Sequence, residues 1–388
     1  MNVIGFWLVA LAVYGLVALI GRQRIIPIVG QLLVASLAIP ALLLYGVEPH
    51  LQLSAKELLA PTWLSLLYNL SFALLLGYIL SDVVDLELSP ASLKIALPSF
   101  LVPLLAGLAA ALWILPGERS WLSAIGIGLL FSITAIPVLF LYLQNIQYPP
   151  EGIKRLLHAA ILMDLMCWSL FGLAQGTADP HTLLWPVLAA GLPLLLHKLL
   201  RLRHALFYSL PFFALMLTFQ QLKLNGLVFG IGYMLCLAWL KQPFVLPLPA
   251  RPWKLLLNGL AIPLILTCGV LRVDFHGIGD SYSWLNLGAL LLLPVVSKMF
   301  GSWLGLHWAM PAASNRLKWS ESVLLNIRGL TEVVFLNLLL QLQLIDALTY
   351  FSLLLMSLFS TLLPALLAVG KPRLTSQQSA TRSPHGVA

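Results

Sequence analysis

The chain has 388 residues, of which 60% are hydrophobic and 9% are charged. A soluble domain carries about 25% charged residues, so this composition excludes a soluble globule and predicts an all-α polytopic membrane protein. The net charge of +8 resides mostly in short connections between apolar runs, where Lys and Arg set topology, and leaves no basic patch for nucleic acid.

Thirteen apolar runs approach the roughly 20 residues that a helix needs to span a bilayer. The eighth and ninth runs could be one long bent helix, because only a few polar residues at 220–223 separate them. The first run has no positively charged n-region and no cleavage pattern, so we expect a retained helix and not a signal peptide. The predicted spans are 3–20, 28–47, 62–80, 94–115, 121–143, 154–173, 182–200, 205–222, 226–240, 253–271, 284–306, 319–340 and 347–369.

Positive charge along the connections predicts the orientation of the chain. With the amino terminus outside, sixteen Lys and Arg residues fall in inside connections and four in outside connections, which is the asymmetry of the positive-inside rule. Merging the eighth and ninth spans inverts every later loop and destroys this asymmetry. We therefore predict thirteen spans in the inner (plasma) membrane, with the amino terminus outside and a disordered cytoplasmic tail at 370–388.

Thirteen spans divide into six, one and six. A second set of six that follows one linker helix starts from the opposite face of the membrane, which is the inverted-topology repeat of many secondary transporters. We predict that spans one to six and eight to thirteen share a fold, joined by the seventh. The fifth span of each set carries breaker and polar residues near its centre, as a discontinuous helix at a midplane site does.

The first of these interrupted helices contains Ser132, Thr134 and Pro137. Pro137 removes a backbone donor and clashes with the carbonyl one turn earlier, so we predict a break at this residue. The Ser132 and Thr134 hydroxyls can supply oxygens near the break. An ordinary proline kink is the alternative interpretation.

The second interrupted helix has its predicted break at Gly329, between two charged residues. Arg328 and Glu332 lie one turn apart and can pair on the same face, which lowers the cost of carrying both near the membrane interior. A purely structural ion pair that fastens this helix is as good an interpretation of these residues as a transport role.

A single carboxylate marks the sixth span. Asp164 lies in the middle of the apolar segment 158–168, and an ionised carboxylate at the bilayer centre costs roughly 2.5–3.5 kcal/mol on insertion scales. Asp164 is therefore the leading site residue, the alternative being a protonated packing residue. Lys298 reaches a similar depth in the eleventh span and is its predicted companion, unless its side chain snorkels toward the cytoplasmic face.

The sequence offers little for other chemistry. The three cysteines lie in separate apolar segments, which excludes a disulfide framework or a metal site. No nucleophile and base pair, metal-ligand spacing or phosphate loop occurs, so we predict neither an enzyme nor a cofactor. His158 and His307 lie nearer the helix ends and are expected to be interfacial rather than proton relays.

The order and spacing of six segments carry a family resemblance. They are 26–31, 132–138, 159–168, 269–274, Ser297-Lys298 followed by Gly301, and 326–332. Together they resemble the monovalent cation:proton antiporters, and most of all the Kef-like branch of the sodium/hydrogen exchangers. The likeness covers essentially the whole transmembrane chain and depends on the joint order of the segments, since no single one is specific.

The resemblance implies how the chain divides into domains. A core of spans four to six (94–173) and eleven to thirteen (284–369) moves against a dimerisation domain of spans one to three (1–80) and eight to ten (205–271). The segment 182–200 is the linker, and the expected assembly is a homodimer.

The resemblance also implies that the two discontinuous helices cross beside Asp164. This residue alternately binds a proton or a cation, with Ser132 and Thr134 among the nearby oxygens and Lys298 as the basic residue of the eleventh span. Many relatives place Asp, Asn or Gln immediately before the essential Asp, whereas this chain has Met163.

The expected function is secondary active exchange of a monovalent cation, Na⁺ or K⁺, for protons by alternating access at one buried carboxylate. Since Met163 removes the second carboxylate, we expect one-for-one, electroneutral exchange. Two alternatives stay open: an exporter of an organic solute with the same fold, and a non-transporting membrane subunit or sensor.

Overall fold

The computed structural model describes residues 3–21, 27–51, 53–81, 89–114, 120–178, 181–198, 204–222, 224–242, 244–245, 249–273 and 284–367. The predicted tail at 370–388 lies outside the described residues, as do Ile26 and Asp274 of the segments that carry the resemblance and several charges of the topology count. The described residues form helices and turns and contain no β-strand.

Each predicted span coincides with a helix or with a pair of helices. In the first half, the helices are α1 (Val3–Gly21), α2 (27–51, with two π-helical stretches), α3 (Ala55–Leu59), α4 (Thr62–Ser81), α5 (Pro90–Ala109, continued by a π turn), α6 (Trp121–Ser132), α7 (Ile136–Asn145) and α8 (Pro150–Ala178). In the second half, they are α9 (His181–Ala190), α10 (Leu192–Lys198), α11 (Leu206–Gln221), α12 (Gly226–Leu240), α13 (250–270, with a central π turn), α14 (Trp284–Ala309), α15 (Asn315–Leu325), α16 (Leu330–Gln341) and α17 (Ala347–Leu366).

Among the described helices, six are long and apolar enough to cross a membrane, or seven if α15 and α16, which meet at a 46° bend, form one span. Helical structure is expected throughout, because a helix satisfies its backbone polar groups internally where no water is present. The chain is a multi-pass membrane protein, and the count of thirteen crossings stays a prediction.

The eighth and ninth predicted spans are two separate helices, α11 and α12. Asn225 begins α12, because its side-chain oxygen accepts a hydrogen bond from the backbone N–H of Val228 at 3.2 Å. The same side chain donates to the carbonyl of Gly172 in α8 at 3.1 Å. This N-cap satisfies a donor at the new helix start, so the alternative of one long bent helix is wrong.

The predicted break at Pro137 is wrong in position. The interruption lies at 133–135, and Pro137 stands in the first turn of α7. Proline is favoured there, because its missing N–H would have no helical partner and its fixed φ suits the helix start. The residue therefore begins the second half of the broken helix rather than kinking a continuous one.

The groups α5–α8 and α14–α17 have the same order of elements. Each runs from a long helix to a broken pair and then to a second long helix. Two residues after the end of the second member of each pair lies a left-handed glutamine, Gln147 with φ of 51° and Gln343 with φ of 55°, as part of a Schellman motif with its backbone hydrogen bond. The inverted orientation of one group relative to the other remains a prediction.

Close packing of α14 against α5 fixes the position of Lys298. A Cβ atom on Gly301 would lie 2.5 Å from the carbonyl oxygen of Pro98, and one on Gly305 would lie 2.5 Å from that of Ile95. Only glycine permits this approach of the two backbones. Lys298, one turn before Gly301, is thereby held at the level of the first helix break.

Candidate functional site

The two helix breaks are in direct contact. In the extended segment 133–135, the backbone N–H of Ala135 donates to the carbonyl of Ile327 at 3.0 Å. The Thr134 hydroxyl donates to the carbonyl of Leu325, also at 3.0 Å. These bonds satisfy backbone groups that the interruptions leave without helical partners.

Two buried cations cap the carboxyl end of α6. The fully buried Arg328 donates through Nη1 to the carbonyl of Leu130 and through Nη2 to that of Phe131, the latter at 2.7 Å. Lys298, also fully buried, donates through Nζ to the carbonyl of Ser132. The last carbonyls of a helix lack helical partners and carry the negative end of its dipole. The two basic side chains satisfy these carbonyls.

Arg328 and Glu332 form the ion pair that their spacing predicts. Nη1 of Arg328 lies 3.3 Å from Oε1 of Glu332, and both side chains are fully buried. The carbonyl of Arg328 accepts a hydrogen bond from the Thr361 hydroxyl of α17 at 2.8 Å. Arg328 therefore joins the second break to α6 and to the first turn of α16 through its guanidinium. Its backbone carbonyl joins the break to α17.

Gly329 allows the two breaks to approach each other. A Cβ atom on Gly329 would lie 2.8 Å from Cγ2 of Val138 and 3.2 Å from Cβ of Ala135, so any larger residue would push the first break away. Glycine is therefore required at position 329, the predicted break, because α7 approaches it so closely.

The Ser132 and Thr134 hydroxyls hold the first break in place. The Ser132 hydroxyl donates to the carbonyl of Phe100 in α5 at 2.8 Å, and that of Thr134 donates to α15. Each hydroxyl oxygen still has a lone pair for a ligand, but each hydroxyl hydrogen is already donated to a backbone carbonyl of a neighbouring helix. Both side chains are fully buried at the contact between the breaks.

Asp164 lies on α8 beside the first break and is only 4% exposed, so it does not face lipid. Sδ of the preceding Met163 lies 3.2 Å from Nζ of Lys298, whose other partner is the Ser132 carbonyl. Lys298 also interacts electrostatically with Asp164. Its complete burial excludes snorkelling to the surface.

A cleft of about 380 Å³ opens along the first half of α8. Its wall is a stripe of residues spaced three and four apart, which is one face of a helix. Asp164 follows on this face, three residues after the last member of the stripe. The lining residues are Pro150, Ile153, Lys154, Leu157, His158 and Ile161.

A second buried charge cluster, at the start of α8, was not predicted. The fully buried Glu321 of α15 accepts a hydrogen bond from the Tyr148 hydroxyl at 2.7 Å and pairs with Arg155. Burial and the neighbouring Glu321 raise the pKa of Tyr148 above its ordinary value. In the sequence, Arg155 is only one of the sixteen positive charges assigned to inside connections. A carboxylate inside the predicted span 319–340 could have indicated the ion pair.

A buried polar network between α4, α16 and α17 was also missed. Asn337 accepts a hydrogen bond from the Tyr68 hydroxyl at 3.3 Å and donates to that of Tyr350 at 3.2 Å. Buried polar groups normally require such partners. Asparagine and tyrosine occur in many packed helices, so composition alone gave no reason to place these three side chains together.

The arrangement combines four buried charged side chains, one of which is the Asp164 carboxylate, with two touching breaks. The structure gathers Ser132, Thr134, Lys298, Arg328 and Glu332 at the contact between the breaks and sets Asp164 on the adjacent helix. Within the described ranges, no group of three or more His, Cys, Asp or Glu residues is placed to hold a metal ion.

Comparison with known proteins gives a similarity of structure only. No family model and no curated protein matches the sequence. The chain is similar in structure to the sodium proton antiporter MjNhaP1 from Methanocaldococcus jannaschii at pH 8, with a TM-score of 0.59 over 95% of this chain and 99% of that one. The sequence identity is 14%, so this similarity establishes a shared fold.

Proposed function

We propose that the chain is a secondary active transporter that exchanges a monovalent cation, Na⁺ or K⁺, for protons by alternating access at Asp164. The observation that carries this proposal is a buried carboxylate beside two broken helices whose breaks touch. Discontinuous helices at such a position are typical of ion sites in transporters. The fold shared with a sodium proton antiporter supports the choice of cation and proton as substrates.

One carboxylate is sufficient for exchange. Burial from water favours the protonated form of Asp164, whereas a dehydrated cation at the same oxygens favours the ionised form. The two ligands therefore compete for Asp164, and each can bind only after the other has left. Alternating exposure of this residue to the two sides couples their movements in opposite directions.

The charge balance of the site supports one-for-one exchange. With all four groups ionised, Asp164 and Glu332 carry two negative charges, and Lys298 and Arg328 carry two positive charges. A cation bound to ionised Asp164 gives this set the same net charge as a proton on Asp164 does. Replacing the proton by the cation therefore leaves the charge of the buried site unchanged, which favours electroneutral exchange.

The cleft along α8 supplies an access route in this proposal. Lys154 and Leu157 line it, and Asp164 lies further along the same helical face. Under the predicted topology, the start of α8 faces the cytoplasm, so the cleft is the inward-facing entrance. Movement to the outward-facing state would alter the contact between Tyr68 and Asn337, which joins the predicted dimerisation and core domains.

The test is ion-driven proton movement in proteoliposomes over Na⁺, K⁺ and Li⁺. We expect the wild type to exchange at least one of these ions and Asp164→Asn to exchange none. Asp346→Asn is the matched control, because Asp346 is an exposed N-cap and asparagine caps equally well. It should transport at the wild-type rate.

Three outcomes would overturn parts of the proposal. Transport by Asp164→Asn would remove this residue from the central role. An exchange rate that follows an imposed membrane potential would contradict electroneutrality. Absence of exchange with all three ions in the folded wild type would reject cation transport and favour an organic solute or a non-transporting role.

A further inference from the structure

A buried lysine and an exposed histidine meet at the junction of α14 and α15. Lys318 is 1% exposed, and its Nζ lies 3.2 Å from Nδ1 of His307 and 3.0 Å from the carbonyl of Pro311. His307 lies in the last turn of α14, and its side chain is exposed. We propose that His307 and Lys318 form a regulatory proton site, outside the transport site, which holds α15 in place while His307 is neutral.

The hydrogen bond requires one protonation state of His307. An ammonium group only donates, so Nδ1 of His307 must accept and its ring hydrogen must be on Nε2. When His307 takes a proton at Nδ1, the acceptor is lost and two cations face each other. Because the His307 side chain is exposed near the end of α14, it can take this proton without a route through the protein interior.

A neighbouring tryptophan gives the protonated histidine another partner. The Trp303 ring stacks on the His307 ring with a centroid distance of 5.5 Å and an angle of 26°. The face of an indole attracts a cation, so the imidazolium can stay against Trp303 when it separates from Lys318. Lys318 keeps its bond to the Pro311 carbonyl.

The surrounding elements supply no acidic group that would remove this switch. Among the described residues, no ion pair joins His307 or Lys318 to a carboxylate, and Glu321 of α15 is directed to Arg155 and Tyr148. The charged and titratable groups on the helices packed around the site are Lys94 of α5, Arg316 and Glu321 of α15, Glu151, Lys154, Arg155, His158, Asp164 and Cys167 of α8, Lys298 of α14, and Asp346 at the cap of α17 with Tyr350 in that helix.

Two side chains of α15 attach it to neighbouring helices, and Lys318 of the proposed site is one of them. Lys318 attaches α15 to the end of α14, and Glu321, three residues later, attaches it to the start of α8 through Arg155. α15 leads directly into the break that contains Arg328. Release of one of these attachments at acidic pH therefore loosens the helix that positions this arginine, an effect on transport that rests on the proposed function.

Hydrogen exchange of the full-length protein in detergent tests the site without any transport. Amide exchange in 311–325 is compared at about pH 5.5 and about pH 8, the interval in which histidine side chains change charge, after correction for the intrinsic pH dependence of exchange. We expect weaker protection at the acidic pH in the wild type. Equal protection at both pH values would overturn the proposal.

Three variants separate His307 from other titrating groups. His307→Asn keeps an acceptor near the Nδ1 position and cannot take the proton, so its protection should not change with pH. Lys318→Met should show weak protection at both pH values. The control His204→Asn, on an exposed residue before α11, should behave as the wild type. A wild-type pH response in His307→Asn, or wild-type protection in Lys318→Met, would contradict the assignment.

Transport then tests the regulatory consequence. If the protein exchanges cations for protons, the rate should fall at acidic pH, and His307→Asn should retain activity to lower pH than the wild type. Identical pH profiles would overturn the regulatory role. A protein that exchanges no ion would reject the proposed function, whereas the hydrogen-exchange result would still decide the proton site.

Discussion

Arg328→Met tests whether one guanidinium holds the two helix breaks together. The change keeps an apolar side chain of similar length but removes the donors to the Leu130 and Phe131 carbonyls and the partner of Glu332. An unsatisfied buried polar group costs about 1–3 kcal/mol, and breaking a buried ion pair costs about 3–5 kcal/mol. We therefore expect the free energy of unfolding to fall by at least about 3–5 kcal/mol.

A double variant separates the ion pair from the helix cap. In Arg328→Met/Glu332→Met, no carboxylate is left buried without its partner, so the double variant should be more stable than Arg328→Met alone. At about 2 °C per kcal/mol, Arg328→Met should lower the Tm in detergent by roughly 6–10 °C. Arg316→Met, on an exposed residue of α15, is the control and should leave Tm unchanged.

The thermal scans can refute this reasoning in two ways. If Arg328→Met shifts Tm no more than Arg316→Met does, the guanidinium does not support the breaks. If the double variant is as unstable as Arg328→Met, the lost helix cap accounts for the whole effect and the pair with Glu332 contributes nothing measurable.

Three further substitutions test the packing by thermal unfolding. Gly329→Ala should destabilise by about 1–3 kcal/mol through overpacking, because its Cβ meets Val138 at 2.8 Å, whereas Gly288→Ala, with no atom within 4 Å, should be neutral or slightly stabilising. Asn225→Ala should cost about 1–2 kcal/mol as an N-cap loss, and Asn225→Asp should restore the cap. Tyr148→Phe should cost about 1.5–3 kcal/mol, as hydrogen bonds to charged groups do. Because the pKa of Tyr148 is raised, this difference should be constant below the ordinary tyrosine value of about 10 and should vanish as pH rises through the folded-state pKa.

The positions of the helices could be predicted because they depend on local sequence. Apolar runs of bilayer length predict helices wherever they occur, and the balance of positive charge separated α11 from α12 before any geometry was known. The spacing of Arg328 and Glu332 was also sufficient to predict their ion pair. Each of these features can be seen in a short stretch of sequence without knowledge of which segments pack together.

The partners of the buried cations could not be predicted. Arg328 caps carbonyls that lie nearly two hundred residues earlier in the chain, and Lys298 bonds to the carbonyl of Ser132 in addition to its electrostatic interaction with the predicted carboxylate. Every residue has a backbone carbonyl, so no residue type indicates which carbonyls are exposed at a helix break. Only the three-dimensional contact of α6, α14 and α15 identifies them.

The placement of Pro137 shows a different limit. Proline disrupts a helix interior but suits a helix start, and the sequence around it does not distinguish the two. The structure places the extended residues before Pro137, where Ala135 bonds to the other break at Ile327. A contact between distant segments therefore decided where the helix is interrupted.

The capped end of α6 has a consequence for ion selectivity, if the proposed exchange is correct. The carbonyls of Leu130, Phe131 and Ser132 already accept from Arg328 and Lys298, and the two positive charges repel another cation from these oxygens. An incoming cation is then held by the Asp164 carboxylate, the Ser132 and Thr134 hydroxyl oxygens and water, which are too few fixed oxygens to enforce one ionic radius. We expect apparent KM values for Na⁺ and K⁺ that differ by less than about tenfold, or 1.4 kcal/mol, in proteoliposome exchange. A preference of about a hundredfold for either ion would show that additional fixed ligands complete the site.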